Sequence, residues 1–404
     1  MMHISSTYAS LAAAVVFACC AAEARAGQAD RPHPNVHPRG RLTNSRIRFE
    51  RGRKGHVAFI GGSITEMNGY RPMIAGFLQK RFPRAKFTFT NAGISSTCST
   101  TGAFRLRRDV LAAGPVDLLL IEFAVNDDQD AGHARTECIR GMEGIVRQVR
   151  DHNPNADVII TYFVNPGMLK LLQGGTTPVP IAAHEAVAAR YGVPTIHLAK
   201  EVAGKIKGGA YDWKQFGGTH PAAFGNRVCA GMIEALLESA WSAPLPNDAK
   251  PAPHPMPAKP LDPLSYVRGR LIDVKQAKPT SGWQVGVPPW KELKGSCRKR
   301  FAKVTMLAAD RPGATLRLAF EGTAVGAYVL AGPDAGVLEA TIDGGKRRTV
   351  DLYHRFSRGL HYPRTVMFDA DLEPGKHTLT LRLTAEHNKA ATGTAARILH
   401  FVAN

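Results

Sequence analysis

The residues that could do nucleophilic chemistry begin with a serine that directly follows two glycines, in the stretch GGSIT. An apolar run ends here and a helical pattern begins, so the hydroxyl of Ser63 should stand above the edge of a sheet. Gly61 and Gly62 permit a tight turn and leave room for a substrate. The N–H of Ser63 would have no partner within the helix and could hold an oxyanion. Taken alone, however, Ser63 is better explained as a helix cap.

Three further residues at comparable positions favour the catalytic interpretation. Gly93 ends the stretch TNAG, Asn126 follows the apolar run IEFAV, and His220 precedes the last helical pattern of the first half. The N–H of Gly93 and the side-chain amide of Asn126 could be further oxyanion donors, and His220 could act as a general base. Each residue also has an ordinary explanation, as a turn, a cap or a surface-loop residue.

The first half of the chain alternates short apolar runs with helical patterns, which predicts a mainly parallel sheet with helices on both faces. The predicted strands are 56–61, 86–93, 116–125, 157–164 and 194–198. The predicted helices are 69–82, 102–113, 133–151, 181–191 and 222–240. Such sheets bind ligands at the carboxyl ends of their strands, which is where Ser63, Gly93 and Asn126 are expected.

The chain order Ser63, Gly93, Asn126 and His220 resembles the four sequence blocks of the SGNH or GDSL-like hydrolase superfamily, from about residue 55 to about residue 240. The resemblance implies a flavodoxin-like, three-layer α/β domain in which Ser63 attacks an ester carbonyl and His220 takes and returns the proton. It also implies an oxyanion hole made of the Ser63 and Gly93 N–H groups and the Asn126 amide, with no metal and no cofactor. Gly62 stands where the family usually has aspartate, although an exported subgroup with GGSIT and AVND is similar.

A second departure concerns the acid that should orient the histidine. The family's usual acid lies three positions before the histidine, where this chain has Gly217. Asp212 is the first candidate for this role. A backbone carbonyl of the same loop and the carboxylate of Glu66 remain alternatives.

The chain divides at a proline-rich segment. Residues 243–263 contain eight prolines, which exclude a helix or an inner strand and indicate a linker or a surface strap. The expected organisation is therefore a signal peptide at 1–26, an α/β domain at 27–242, the linker, and an accessory domain at 264–404. The last part has many strand-length runs separated by turn residues, which predicts a β-sandwich.

Charge and basic loops bear on the substrate. The net charge of +19 favours either solubility or a polyanionic partner such as an acidic polysaccharide, and no nucleic-acid recognition motif accompanies it. The loop YHRFSRGLHYPR combines aromatic and cationic side chains of the kind that grip sugars and carboxylates. Tyr353, Arg355 and Arg358 are candidate substrate contacts there, and Arg105 is another.

The amino terminus predicts export. Residues 11–22 form an apolar core too short to span a bilayer as a helix, and the Ala-Arg-Ala of 24–26 fits a cleavage site. The mature chain is expected to be periplasmic or secreted without a transmembrane segment, and an imperfect lipoprotein-type site at Cys19 leaves a lipid-anchored form open. The four cysteines that would remain after cleavage, Cys98, Cys138, Cys229 and Cys297, could pair or remain buried thiols, and they show no metal-ligand spacing.

Three functions are compatible with these features. Within the superfamily, exported members with an appended sandwich often remove acetyl groups from polysaccharides, so we expect a serine esterase acting on an acylated carbohydrate. A periplasmic polysaccharide O-acetyltransferase would use the same serine and histidine. A sugar-binding protein with a decayed hydrolase domain is the third interpretation, and Gly217 is the feature that favours it.

Overall fold

The first domain is an α/β domain built on a six-stranded sheet. The computed structural model describes residues 33–404, so the predicted signal peptide lies outside the described residues. The strands are β1 (Val36–His37), β2 (Lys54–Gly61), β3 (Lys86–Gly93), β4 (Leu118–Glu122), β5 (Asp157–Thr161) and β6 (Thr195–Ile196). Their order is β1-β6-β5-β4-β2-β3, with β1 antiparallel and the others parallel. The predicted parallel sheet is confirmed.

Eleven helices connect and flank these strands in the described part of the first domain. They are α1 (Thr43–Glu50), α2 (Ser63–Glu66), α3 (Tyr70–Arg81), α4 (Ser99–Asp109), α5 (Ala124–Gln129), α6 (Arg135–His152), α7 (Pro166–Gln173), α8 (Val179–Tyr191), α9 (Leu198–Lys207), α10 (Trp213–Phe216) and α11 (Ala223–Ala240). All residues of β4 and β5 are buried because helices cover both faces of the sheet, as the unbroken apolar runs predicted. Within residues 33–404, no helix combines the length and the apolarity that a membrane crossing requires.

The second domain consists of two antiparallel sheets. Its strands are β7 (Arg270–Ile272), β8 (Lys278–Ser281), β9 (Gln284–Gly286), β10 (Met306–Ala309), β11 (Thr315–Gly322), β12 (Val325–Ala331), β13 (Gly336–Ile342), β14 (Arg348–Asp351), β15 (Tyr362–Asp369), β16 (Gly375–His387) and β17 (Ala396–Ala403). One sheet has the order β15-β12-β17-β10-β9 with β7 beside β17, and the other has the order β14-β13-β16-β11-β8. Alternating burial along β11 shows one face packed inward, which confirms the predicted sandwich.

The proline-rich segment 243–263 contains no helix or strand and lies along the first domain. Asn44 Nδ2 donates to the carbonyl of Ala252 at 2.8 Å, and the ring of His254 meets the Asp157 carboxylate at 2.8 Å. These contacts are buried or partly buried, so the segment is a strap held against the domain rather than a free tether.

The apolar core of the first domain continues into the second domain, which also has a separate core cluster of its own. The rings of Phe104 on α4 and Tyr266 lie 4.7 Å apart, and the guanidinium of Arg140 bonds Asp262 at 2.9 Å and Asp371 at 2.8 Å. The sandwich is therefore fixed against helices α4 and α6, which follow the strands that carry the candidate site.

The four cysteines of the described chain, Cys98, Cys138, Cys229 and Cys297, are all free thiols. Three are buried, and the structure therefore favours buried free thiols over paired cysteines.

Candidate active site

Ser63 and His220 meet at the carboxyl edge of the first sheet. Ser63 is the first residue of α2, separated from β2 by Gly62 alone, and His220 lies in the loop that precedes α11. The ring Nε2 of His220 is 2.7 Å from the Ser63 Oγ, although the two residues are 157 positions apart. Ser63 is half-buried and His220 is exposed, so the pair is open to solvent. At the 2.7 Å that separates Nε2 from Oγ, an imidazole can take a proton from a hydroxyl.

The turn before Ser63 rests on a buried carboxyl group at the end of β4. Glu122 Oε1 accepts the N–H of Gly62 at 2.9 Å, the N–H of Thr65 at 3.2 Å and the Thr65 hydroxyl at 2.7 Å. A Cβ at Gly61 would lie 2.2 Å from the same oxygen, so only glycine fits there. Burial raises the pKa of Glu122 to about 7, even though these hydrogen bonds favour the charged form.

Glu122 should make the stability of the fold depend on pH. Since its pKa in the fold lies above the ordinary value of 4.5, the folded state binds a proton that the unfolded chain releases between those values. We expect the free energy of unfolding to fall by about 2 to 3 kcal/mol between about pH 5 and about pH 8, and this fall to disappear in Glu122→Gln. Urea titrations of both proteins at the two pH values measure it. Parallel pH dependence in the two proteins would contradict the elevated pKa.

Asn126 lies on α5 with its side chain only 2% exposed, and its amide faces the residue before the serine. A Cβ at Gly62 would lie 2.0 Å from Asn126 Oδ1 and 2.9 Å from Nδ2. Asn126 Nδ2 donates to Asp130 Oδ2 at 2.8 Å and has a second N–H to offer. The amide is therefore packed beside the nucleophile turn, as the sequence predicted.

The next residue, Asp127, anchors this helix. Its carboxylate accepts the Ser99 N–H and hydroxyl, each at 2.7 Å, and meets the His184 ring at 2.9 Å. Burial alone would raise the pKa of Asp127, but the imidazoles of His133 and His184 hold it well below its usual range. Cys98 and Cys138 also approach this cluster. Possible metal-ligand atoms lie within 4.8 Å of one another in two overlapping groups, one of Cys98, Asp127 and His133 and the other of Asp127, Cys138 and His184. Because the carboxylate is already satisfied by Ser99 and His184, the cluster is explained as internal support for α5.

Gly93 lies at the end of β3, as predicted, but its N–H is already engaged. It donates to Asn91 Oδ1 at 2.9 Å, so the structure does not present it as a free oxyanion donor. A steric constraint explains why this residue is glycine. A Cβ there would lie 2.3 Å from the backbone nitrogen of Glu66 in α2, so glycine lets the nucleophile helix approach β3.

The sequence model of the GDSL-like lipase/acylhydrolase family matches residues 59–228, the segment that carries Ser63, Asn126 and His220. The first domain belongs to this family. Family membership and the Ser63–His220 pair together make the chain a serine hydrolase that acts on esters. No curated protein sequence matches the chain.

The similarity in fold extends to the second domain. Two crystal structures of a two-domain esterase (CEX) active on acetylated mannans, one of them with mannopentaose, have a TM-score of 0.72 to this chain. They are 20% and 21% identical to it, and the alignments cover 91% of this chain and 96% and 97% of those chains. At this identity the likeness shows a shared two-domain fold.

In the GDSL-like domain, position 217 cannot hold the family's usual acid. Gly217 has φ +101°, and a Cβ there would lie 1.9 Å from the nitrogen of Ala222. The structure does not bring the sequence-predicted substitute, Asp212, to His220 either. The Asp212 carboxylate accepts the N–H of Gln215 at 2.6 Å and so caps α10. Glu66, the other carboxylate considered, bonds the N–H of Ser95 at 2.7 Å.

We expect Asp212→Asn to leave kcat within about twofold of the wild-type value, because asparagine caps helices as well as aspartate does. Hydrolysis of p-nitrophenyl acetate measures this, with Asp212→Ala as the variant that removes the cap. A much larger fall in kcat for Asp212→Asn at unchanged thermal stability would instead identify Asp212 as the orienting acid.

Arg105 is not a substrate contact, and that prediction was wrong. Its side chain is fully buried, and the guanidinium donates to the carbonyls of Ala92 at 2.6 Å and Gly61 at 3.0 Å. It also pairs with Asp109 at 3.1 Å. Arg105 therefore ties together the ends of β2 and β3, and buried carbonyls take the donors that an anionic substrate would need.

Two of the other three predicted substrate contacts lie on the sandwich side of an open cleft of about 640 Å³ between the domains. Tyr353 and Arg355 line it opposite residues 128–132 and 165–167. Arg355 also donates to the carbonyl of Gln129. Arg358 is exposed and is not among the residues that line this cleft.

Sequence reasoning missed the arginines of the sandwich that hold the loop after β3. Arg298 donates to the Ser95 carbonyl and the Ser96 hydroxyl, both at 3.0 Å, and Arg300 donates to the Gly93 carbonyl at 3.0 Å. Arg300 also pairs with Glu66 at 3.1 Å. No local signal distinguishes these arginines from the other basic residues of the chain.

Proposed function

We propose that this protein is an exported carbohydrate esterase that removes O-acyl groups, above all O-acetyl groups, from a polysaccharide through an acyl-serine intermediate. The observation that carries the proposal is the 2.7 Å contact between His220 Nε2 and Ser63 Oγ in a domain of the GDSL-like family. The open cleft beside α5 and the fold shared with an esterase active on acetylated mannans support a glycan substrate.

The proposed reaction uses the residues at the sheet edge in two half-reactions. His220 takes the proton of Ser63 as Oγ attacks the ester carbonyl, and the oxyanion forms beside the Ser63 N–H and the Asn126 amide. Collapse of this intermediate expels the sugar hydroxyl, which receives the proton from His220. Water, deprotonated by the same imidazole, then attacks the acyl-serine and releases the acid and the free serine.

The cleft offers a polymer a binding surface beside the helix that carries Asn126. Asp128 and Gln129 on its first-domain wall belong to α5, the helix that carries Asn126. Tyr353 offers a half-buried ring and Arg355 an exposed guanidinium on the opposite wall. An aromatic face and a cation at this position suit a sugar chain, and the arginine would also suit an acidic one.

The test compares wild type and Ser63→Ala on acetylated mannan, acetylated xylan and p-nitrophenyl acetate, with released acetate or nitrophenol as the readout. We expect release from at least one acetylated glycan by the wild type alone. No release above the Ser63→Ala background from any of the three would contradict esterase function and favour the binding protein. Incubation of an acetyl donor with unacetylated mannan decides the transferase alternative, because a transferase acetylates the acceptor faster than it releases acetate.

Export is part of the proposal and rests on the apolar segment 11–22 and the Ala-Arg-Ala that follows it. Cell fractionation of the full chain should find it outside the cytoplasm, cleaved after Ala26. A form that is cleaved before Cys19 and partitions into detergent would identify the lipid-anchored alternative.

A further inference from the structure

The sandwich domain reaches the oxyanion side of the active site through a partly buried chain of two hydrogen bonds. Tyr362, the first residue of β15, donates its hydroxyl to Asp130 Oδ1. The other oxygen of Asp130 accepts the amide N–H of Asn126 at 2.8 Å. A side chain of the second domain is thus two hydrogen bonds away from a residue packed against the nucleophile turn.

Asp130 determines which way the amide of Asn126 points. The two ends of an asparagine amide have almost the same shape, so packing alone scarcely distinguishes oxygen from nitrogen. An ionised carboxylate only accepts hydrogen bonds, so Asp130 selects the orientation in which Nδ2 faces it. The Asn126 Oδ1 is then left buried without a hydrogen-bond partner among the described residues. Such an orphaned atom costs free energy, so this orientation needs an external constraint.

Tyr362 in turn fixes Asp130. Its side chain is 2% exposed, and its ring stacks on that of His354 with centroids 4.4 Å apart and planes inclined by 12°. Burial beside the Asp130 carboxylate raises the pKa of Tyr362 far above its usual range, so the hydroxyl remains a donor at every working pH. Burial also raises the pKa of Asp130, while the hydrogen bonds from Tyr362 and Asn126 oppose this by favouring its ionised form.

We propose that Tyr362 and Asp130 are positioning residues that hold the Asn126 amide with its N–H group toward the oxyanion, so that the sandwich domain is part of the catalytic apparatus. This inference rests on the proposed function, since it needs an oxyanion to form beside Asn126. Neither residue touches the substrate in this scheme, and both act through Asn126.

The test is a double-mutant cycle on the full mature chain, with p-nitrophenyl acetate as a substrate too small to need the glycan cleft. Tyr362→Phe removes one hydroxyl and should lower kcat by about tenfold with little change in KM, as expected for loss of one hydrogen bond to a charged group. In the Asn126→Ala background, the same change should lower kcat by less than about twofold, because the residue through which it acts is gone. Asp130→Ala should show the same pattern with a larger single effect.

Tyr328→Phe is the matched control. Tyr328 is another buried tyrosine of the sandwich, on β12, and its hydroxyl has no hydrogen-bond partner among the described residues. Its loss should leave kcat unchanged. If Tyr362→Phe lowers kcat by the same factor with and without Asn126, its role is structural and the proposal is wrong. Unchanged kcat for Tyr362→Phe would also overturn it.

Failure of the positioning role and failure of the proposed function give different results. If wild type and Ser63→Ala hydrolyse p-nitrophenyl acetate equally slowly, the esterase assignment itself is contradicted and the cycle has no activity to compare. If wild type is active and only the coupling between residues 362 and 126 is absent, the esterase remains and the positioning role is excluded. Melting temperatures of all variants, measured alongside, separate misfolding from either result.

Discussion

His220→Ala will lower kcat for p-nitrophenyl acetate by roughly 10⁴-fold or more, the size of effect seen when the base of a serine nucleophile is removed. The physical reason is the 2.7 Å contact between the ring and the Ser63 hydroxyl. Without the imidazole, that hydroxyl has no acceptor for its proton during attack, and the leaving alkoxide has no donor. KM should change little, because the imidazole contributes little to binding the acetyl group of p-nitrophenyl acetate.

A second exposed histidine serves as the control for His220. His152 ends α6, and His152→Ala should retain wild-type kcat. His220→Ala should also keep the wild-type melting temperature, since its side chain is exposed. A fall in kcat of less than about tenfold for His220→Ala would mean that another group deprotonates Ser63. His220 would then not be the catalytic base.

The sequence was sufficient to predict that Ser63 and Asn126 would lie at one edge of the sheet, because a parallel sheet imposes that geometry. Apolar runs such as LLLIE indicate strands buried on both faces, and strands of one direction all end at one edge. Residues just after β2 and β4 must therefore be neighbours. The serine and the amide needed no conformational detail beyond that rule.

Short helices were missed because they contain too few residues to show a period. Helices α2, α5 and α10 have four to six residues each, which is less than two turns. Helix α7 was missed for another reason, since it begins with Pro-Gly, a pair that usually marks a turn. Proline is favourable at the first helical position, and Asn165 caps this helix by accepting the N–H of Met168 at 2.9 Å.

The roles of Arg105 and Asp212 could not be predicted because each depends on a backbone group that only the fold brings near. Arg105 looks like one of three cations on a helix, yet its guanidinium meets carbonyls of two separate strands. Asp212 is the nearest acid before His220, but the chain turns into α10 directly after it, and the carboxylate caps that helix. Spacing along the chain carries no information about either orientation.

Contacts between the domains were the least predictable part of the site. Arg300 is 207 positions from Gly93, and Tyr362 is 232 positions from Asp130. The sequence suggested only that a loop of the sandwich grips sugars or carboxylates. The structure shows the sandwich in contact with both sides of the nucleophile turn, at the loop after β3 and at helix α5. The sandwich therefore supports both sides of this turn, and the proposed substrate contacts Tyr353 and Arg355 lie in the same interface.

Asn126→Ala should lower kcat by about 10²- to 10³-fold, the usual effect of removing one preorganised oxyanion donor. The amide is buried beside Gly62 and held by Asp130, so it loses no entropy when charge develops on the substrate oxygen. Its loss acts on the transition state, and KM for p-nitrophenyl acetate should stay within about threefold of the wild-type value. Asn44→Ala is the control, since it removes a buried amide that holds the strap at Ala252 and His254. We expect it to lower the melting temperature without lowering kcat. If both variants lose stability but keep kcat, the oxyanion is held elsewhere, and Gly93 would have to release Asn91 during turnover.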